Sequence, residues 1–323
     1  MTIEFGFSLT GRGALADRET LTALAQRAEA LGYDSVFVTD RMLIPVARTA
    51  AYPYSATGAF PLGPDESWLE ALTAVTYLAT VTRRIRVGPS VLVIPYRNPV
   101  FTARALATAD YLSGGRVILG AGIGWMKEEF EALQAPPFEQ RGRVTDEYIR
   151  LMRECWTREP VKWSGEHYRI GNVSALPKPA QKDGIPVWID GHTPGALKRA
   201  GELGDGWHPI ALRPPGLLFP AEYREKVAVI HDHARRAGRD PAAIELTLRV
   251  PLDLAGRRAK PTGGDRVLFT GTAAEVIQDV RAYQVLGVTH FIFDPAPADV
   301  RGRLAMMDRF AQDVRPKVLR APR

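Results

Sequence analysis

The chain has 323 residues, 46% of them hydrophobic and 24% charged, with a formal net charge of +6. That balance provides for a sizeable buried core and excludes a globally disordered chain. The first residues, MTIEFGFSLTGRG, lack the basic head and apolar run of a secretion signal, and the apolar window ALTAVTYLATV is shorter than the roughly 18 to 20 residues of a spanning helix, so a cytoplasmic protein without membrane contact is expected.

Short apolar runs alternate with longer stretches of helical spacing. IEFGFSL reads as a strand, followed by the helix ETLTALAQRAEALG, whose leucines and alanines recur at spacings of three and four up to Gly32. SVFVTD is the next strand. A segment rich in proline and glycine, Leu43 to Ser67, leads to the helix WLEALTAVTYLATV; the strand IRVGPSVLVIP, the helix NPVFTARALATADYL and the strand RVILGAG follow. The helix VTDEYIRLMRECW carries Cys155 between Met152 and Trp156, the pattern of a core thiol. In the segment Val161 to Gln181, VKWSGEHYRI reads as a hairpin around SGE. Then come the strand PVWID, its helix, and GDGWHPI as a short strand. AEYREKVAVIHDHARRAG pairs with IELTLRVPL and, beyond the segment Ala255 to Gly271, AAEVIQDVRAYQVLG with THFIFD; a closing helix spans Val300 to Val314.

Eight strands, each followed by a helix, predict an α/β fold, a (β/α)8 TIM barrel spanning residues 1–323 as one domain. Insertions are expected at the C-terminal face of the strands, with Leu43 to Ser67 and Ala255 to Gly271 as lids. In such a barrel the active site gathers at the strands' C-terminal ends. Here these ends carry Ser8, Asp40, Arg41, Ser90 to Ile94, Gly122 to Trp125, Asp190 to Thr193, Trp207, His208 and Asp294.

Several chemistries are excluded by what these ends lack. There is no phosphate-binding loop ending in glycine, lysine and serine or threonine, no nucleophile elbow and no HExxH. The six histidines show no metal-site spacing, and no metal is expected. GAGIG at Gly120 to Gly124 follows a strand, but no second strand ending in an acid arrives about 20 residues later, as a dinucleotide fold requires. Close approach of the backbone to a flat ligand is the better reading. Basic residues are scattered apart from RPKVLRAPR, so no nucleic-acid partner is expected, and the charge suits a phosphate-bearing cofactor. The glycine and proline within GPSVLVIP predict a bulge. Gly191, His192, Thr193 and Pro194 stand where a strand opens into a helix, a place where unpaired amides and the helix dipole receive either an anion or an ordinary cap. His192 and His208 end strands and can hydrogen-bond a cofactor oxygen. Asp40 reads either as a turn residue or as a contact to a bound ring, with Arg41 beside it as its charge partner. The aromatic residues Tyr52, Tyr54 and Phe60 read as a partly apolar lid.

The ordered set LGYDSVFVTD, RRIRVGPSVLVIPYRNPVFTARALATADYLSGGRVILGAGIGW, RGRVTDEYIRLMRECW and PVWIDGHTPGALKRAGELGDGWHP resembles the bacterial-luciferase-like monooxygenase superfamily. It is most similar to the branch of coenzyme F420-dependent oxidoreductases. The resemblance implies hydride transfer between a deazaflavin and a small organic substrate. The alternative is an FMN-dependent monooxygenase using oxygen and reduced flavin from a separate reductase. A homodimer is implied by the same analogy. Ser90 and Val91 match the bulged strand whose non-proline cis peptide supports the ring; Gly122 and Gly124 match the ring's edge. Gly191, His192, Thr193 and Pro194 match the phosphate turn, with Trp207 also among the cofactor contacts, and Asp40 matches an acid near the reactive face. Two residues depart from the family pattern. Arg41 replaces a common histidine, and a guanidinium makes a poor general base, so an electrostatic role is expected, with alanine there harming turnover much more than folding. Asp190 replaces a glycine, and its charge opposes a neighbouring phosphate.

Overall fold

The computed structural model describes residues 3–53, 55, 57–60, 62–254 and 266–319. Its main sheet has nine strands in the order β3-β2-β1-β11-β10-β9-β8-β5-β4, all paired in parallel. These are β1 (Glu4–Thr10), β2 (Ser35–Val38), β3 (Arg86–Pro89), β4 (Leu92–Val93), β5 (Leu119–Gly122), β8 (Val187–Ile189), β9 (Gly206–Trp207), β10 (Glu245–Leu252) and β11 (His290–Pro295), while β6 (Val161–Ser164) and β7 (Arg169–Val173) form the separate hairpin. The two ends of the order, β3 and β4, are consecutive pieces of one barrel position. A bridge between Val87 and Val117 joins that position to the chain entering β5, so the sheet closes on itself.

Helices surround it: α1 (Arg18–Ala30), α2 (Ala71–Val81), α3 (Pro99–Ser113), α4 (Lys127–Ala132), α5 (Arg141–Thr157), α6 (Pro194–Leu203), α7 (Pro220–Arg236), α8 (Ala273–Gln284), α9 (Val300–Arg309) and α10 (Arg315–Leu319), with one π-helical turn, Phe310–Val314, joining the last two. Side chains with short oxygen acceptors start most of them. Asp17 accepts from the Thr20 amide, Asn98 precedes Pro99 and accepts from Val100, and Thr272 with Glu275 forms a capping box.

Alternation along each strand separates two cores. Outward-facing Phe5, Phe7, Phe291 and Phe293 pack against one another and against Phe310 under the helices. The lumen holds a small apolar plug of Phe37, Ile118, Trp188 and Ile292, all buried, against which His208 and His290 lie. Cys155 is buried, and burial raises its thiol above the usual range, as a core position requires.

Of the three segments expected as insertions, Leu43 to Ser67 connects β2 to α2 over the mouth. The hairpin of the second segment is present, but it connects helix to strand, and Glu147 of α5 holds its turn through the amides of Glu166, His167 and Tyr168. Residues 255–265 of the third segment, together with Tyr54 of the aromatic lid, lie outside the described residues.

Candidate active site

At the C-terminal end of the barrel, the Asp40 side chain is fully withdrawn from solvent. Its two oxygens accept the fork of Arg97 at 2.8 and 2.7 Å, and one also accepts the Val93 amide at 2.8 Å. Asp40 thus ties β2 to the restart of the broken third barrel position. The expected pairing of Asp40 with Arg41 does not occur. Arg41 instead pairs with Glu129 of α4, which also accepts the Met42 and Leu43 amides at 2.9 and 3.1 Å and the Tyr96 hydroxyl at 2.8 Å. The reason is length: a guanidinium one residue beyond the acid reaches past it to α4, while Arg97 approaches Asp40 face on. Phe60, Trp68 and Trp125 surround the Arg41 guanidinium at 5.1, 5.7 and 5.3 Å, and its Nε, buried, has no partner.

Between β3 and β4 the Ser90–Val91 peptide is cis, at the place where a bulge was expected. The Ser90 hydroxyl accepts from Arg249 at 3.0 Å and lies 2.7 Å from His208 Nε2. His208 Nδ1 lies 2.9 Å from the Thr247 hydroxyl, which donates to the Trp207 carbonyl. Burial, aided by Arg249, pushes the His208 pKa well below its ordinary value, so its ring is neutral. Each proton then has one place: Ser90 donates to Nε2, and Nδ1 donates to Thr247. Arg249 also donates to the Ser90 carbonyl at 2.6 Å and the Ser8 hydroxyl at 2.9 Å, and pairs with Asp294.

The glycines of GAGIG serve the protein's own chain. A Cβ at Gly122 would stand 2.6 Å from Val91 Cγ2, and one at Gly124, where φ is +78°, 2.7 Å from Val93 Cγ1. The close approach expected for a flat ligand is therefore made by β4, which leaves Val91 partly exposed at the mouth.

At the strand-to-helix turn, Gly191 has φ of +113°, and Thr193 caps α6 with Pro194 in its first turn. Asp190 faces the Gly191 and Ile210 amides, yet burial dominates and raises its carboxyl to about 7; Oδ1 has no hydrogen-bond partner. Burial lowers His192 to about 4, and its Nε2 is likewise buried without a partner. Trp207, expected among the cofactor contacts, points away from the lumen instead, stacking near Tyr223 and donating to the Gly191 carbonyl at 3.0 Å. The parity of β9 explains this, since the neighbouring His208 takes the inward position.

The structure thus brings Asp40, Arg41, Ser90, Val91, Gly122, Gly124 and the Gly191 to Pro194 turn to one end of the barrel. Sequence reading missed Glu129, Arg97 and Arg249. Only Arg249 left a signal: in IELTLRVPL it alternates with leucines and so faces inward. At the opposite end Glu4, Glu245 and His290 converge within 4.8 Å, with the Arg86 guanidinium against Glu4 supplying the cation there.

Comparison with known proteins accords with this architecture. A protein of Mycobacterium tuberculosis, itself uncharacterized, is 34% identical over 194 residues, 60% of this chain and 66% of that one. An F420-dependent glucose-6-phosphate dehydrogenase of Intrasporangium calvum is 29% identical, over 90% of this chain and 92% of its own. Among solved structures, an F420-dependent secondary alcohol dehydrogenase bound to an F420-acetone adduct superposes with a TM-score of 0.77 at 19% identity, covering 99% of this chain and 100% of that one, a likeness of fold. Residues 3–260 match the model of the luciferase-like monooxygenase family, and the chain belongs to that family.

Proposed function

We propose that this protein is a coenzyme F420-dependent oxidoreductase that moves a hydride between the deazaflavin and a small organic substrate. The observation that carries this reading is the set of buried, partnerless polar atoms at the barrel mouth, Arg41 Nε, Asp190 Oδ1, His192 Nε2 and Arg249 Nε. Buried polar groups are almost always satisfied, so these four at one end of the barrel fit a guest that supplies hydrogen-bond partners. The F420 dependence named for the dehydrogenases of similar sequence and fold supports the choice of guest.

When bound, the deazaflavin supplies the two-electron chemistry. Val91, partly exposed, would form the wall against which the ring rests, with Ser90, Gly122 and Gly124 supporting it from behind, and the turn from Gly191 to Pro194 would receive the phosphate. Asp190 tolerates that phosphate when protonated. His192, neutral, accepts a hydroxyl through Nε2. Asp40 acts as a positioning residue through Val93 and Arg97. Arg41 holds Nε ready for an oxygen of the substrate or ring, an electrostatic role.

The alternative guest is FMN, with a separate reductase delivering reduced flavin; the family's monooxygenase description supports it. Reconstitution with each cofactor, followed by mass and absorbance spectra of what stays bound, decides between them. Retention of F420 alone is the expected result; retention of FMN alone, or of neither, overturns the proposal. A homodimer is supported by Phe101, Tyr111 and Leu112, which stand exposed on α3. Sedimentation of the Leu112→Glu variant as a monomer beside a wild-type dimer is the expected outcome.

A further inference from the structure

We propose that His208 is a positioning residue for the cofactor: without reaching the ring it fixes, through Ser90, where the Val91 wall stands relative to the phosphate turn. This role rests on the reading above, in which a tricyclic ring lies against Val91. From the sequence His208 could meet a cofactor oxygen directly, but the fold spends both its nitrogens inside the protein, Nε2 on the Ser90 hydroxyl at 2.7 Å and Nδ1 on the Thr247 hydroxyl at 2.9 Å. Of Ser90, Val91, His208 and Thr247, only Val91 is not buried. His208 can therefore touch a guest only through its neighbours.

Val91 depends on that support. Its methyl groups lie on β5 at Gly120 and Gly122, where a Cβ would stand 3.1 and 2.6 Å from them, so this floor offers no side chain to grip it. The residue behind it, Ser90, has two side chains as partners, Arg249 and His208. Arg249 is long and also serves Ser8 and Asp294, so it can follow a displaced Ser90. His208 cannot: its ring packs against Phe37 and Trp188 at 5.8 and 5.6 Å, and the neutral imidazole has one bare nitrogen, aimed at Ser90. The same stretch of chain carries the other half of the site. The Trp207 indole donates to the Gly191 carbonyl at 3.0 Å, the Trp207 carbonyl accepts from Thr247 at 3.0 Å, and the His208 amide donates to the Ile189 carbonyl at 2.8 Å. Trp207 and His208 thus join the wall to the turn, the two places where the ring and the phosphate of one cofactor rest.

Two substitutions separate the contacts. His208→Gln puts an amide where Nε2 stands and keeps an acceptor for Ser90, whereas His208→Asn puts one where Nδ1 stands, keeps Thr247 and abandons Ser90. Each breaks one buried hydrogen bond, so both should unfold in urea at similar midpoints below that of wild type. Titration of the apoprotein with F420, followed by the visible circular dichroism of the bound ring, is expected to tell them apart. His208→Asn should weaken F420 binding about tenfold and change the ring signal, while His208→Gln should stay within about twofold of wild type with its signal intact. Ser90→Ala should reproduce the Asn variant, and the two changes together should add nothing further. Equal losses in the Asn and Gln variants, or additive losses in the double variant, would reduce His208 to a core residue and overturn the proposal. Should wild type retain FMN in place of F420, the F420 reading fails, while the same comparison made on the FMN ring still decides the role of His208. Retention of neither ring overturns both.

Discussion

Arg41 and Asp190 show how a single side chain can carry both fold and chemistry. Arg41 and Glu129 are buried together, and removing one partner of such a pair leaves an uncompensated charge. Arg41→Ala is therefore expected to lower stability by about 3 kcal/mol in urea unfolding, against the sequence-based expectation that folding would be spared. For Asp190 the sign follows from its raised carboxyl. The folded state binds the proton more tightly than the unfolded state, so this group's contribution is present below about pH 4 and lost as pH rises through about 7. Asp190→Asn removes that loss. The melting temperature of the variant relative to wild type should climb between pH 4 and 7 and level off above, and a flat difference would show the carboxyl to be ordinary. Phosphate-bearing cofactor should likewise bind wild type more weakly above pH 7, with the dependence absent in the variant.

Among the elements, α4 does the most with the fewest residues. Glu129 holds the chain leaving β2, while Glu128 holds the Thr49 and Ala50 amides, and those bonds draw its carboxyl down to about 2. Glu128→Ala should accelerate hydrogen exchange at Thr49 and Ala50 with a melting temperature near wild type, whereas Glu129→Ala should lower it by several degrees. None of this was legible in KEEFEA, because both partners of each bond lie about 80 residues away and no periodicity encodes them. Strands and helices were legible for the opposite reason, since alternation and caps are local. The break in GPSVLVIP was also readable, through its glycine and proline. The orientation of Trp207 required the parity of a strand only two residues long, too short to read.

In the whole molecule, closure depends on small residues where the third barrel position meets the fourth. A Cβ on Gly88 would run into the Ile118 carbonyl and the Phe37 ring, so Gly88→Ala should cost roughly 1 to 3 kcal/mol in urea unfolding and reduce cofactor retention with it. An unchanged midpoint would mean that the seam yields. The eightfold alternation of strand and helix made the barrel readable, but the seam itself was not, since it is a contact between residues 30 apart. Because the sheet's first and last members are neighbours in a single short stretch of chain, among the described residues it presents no row of unpaired peptide groups for another molecule to extend. Among the described residues only the β6–β7 hairpin offers such a border, and there Lys162 and Arg169 place like charges in the path of an incoming strand. Resistance to fibrous self-assembly is thus built into the same closure that shapes the mouth.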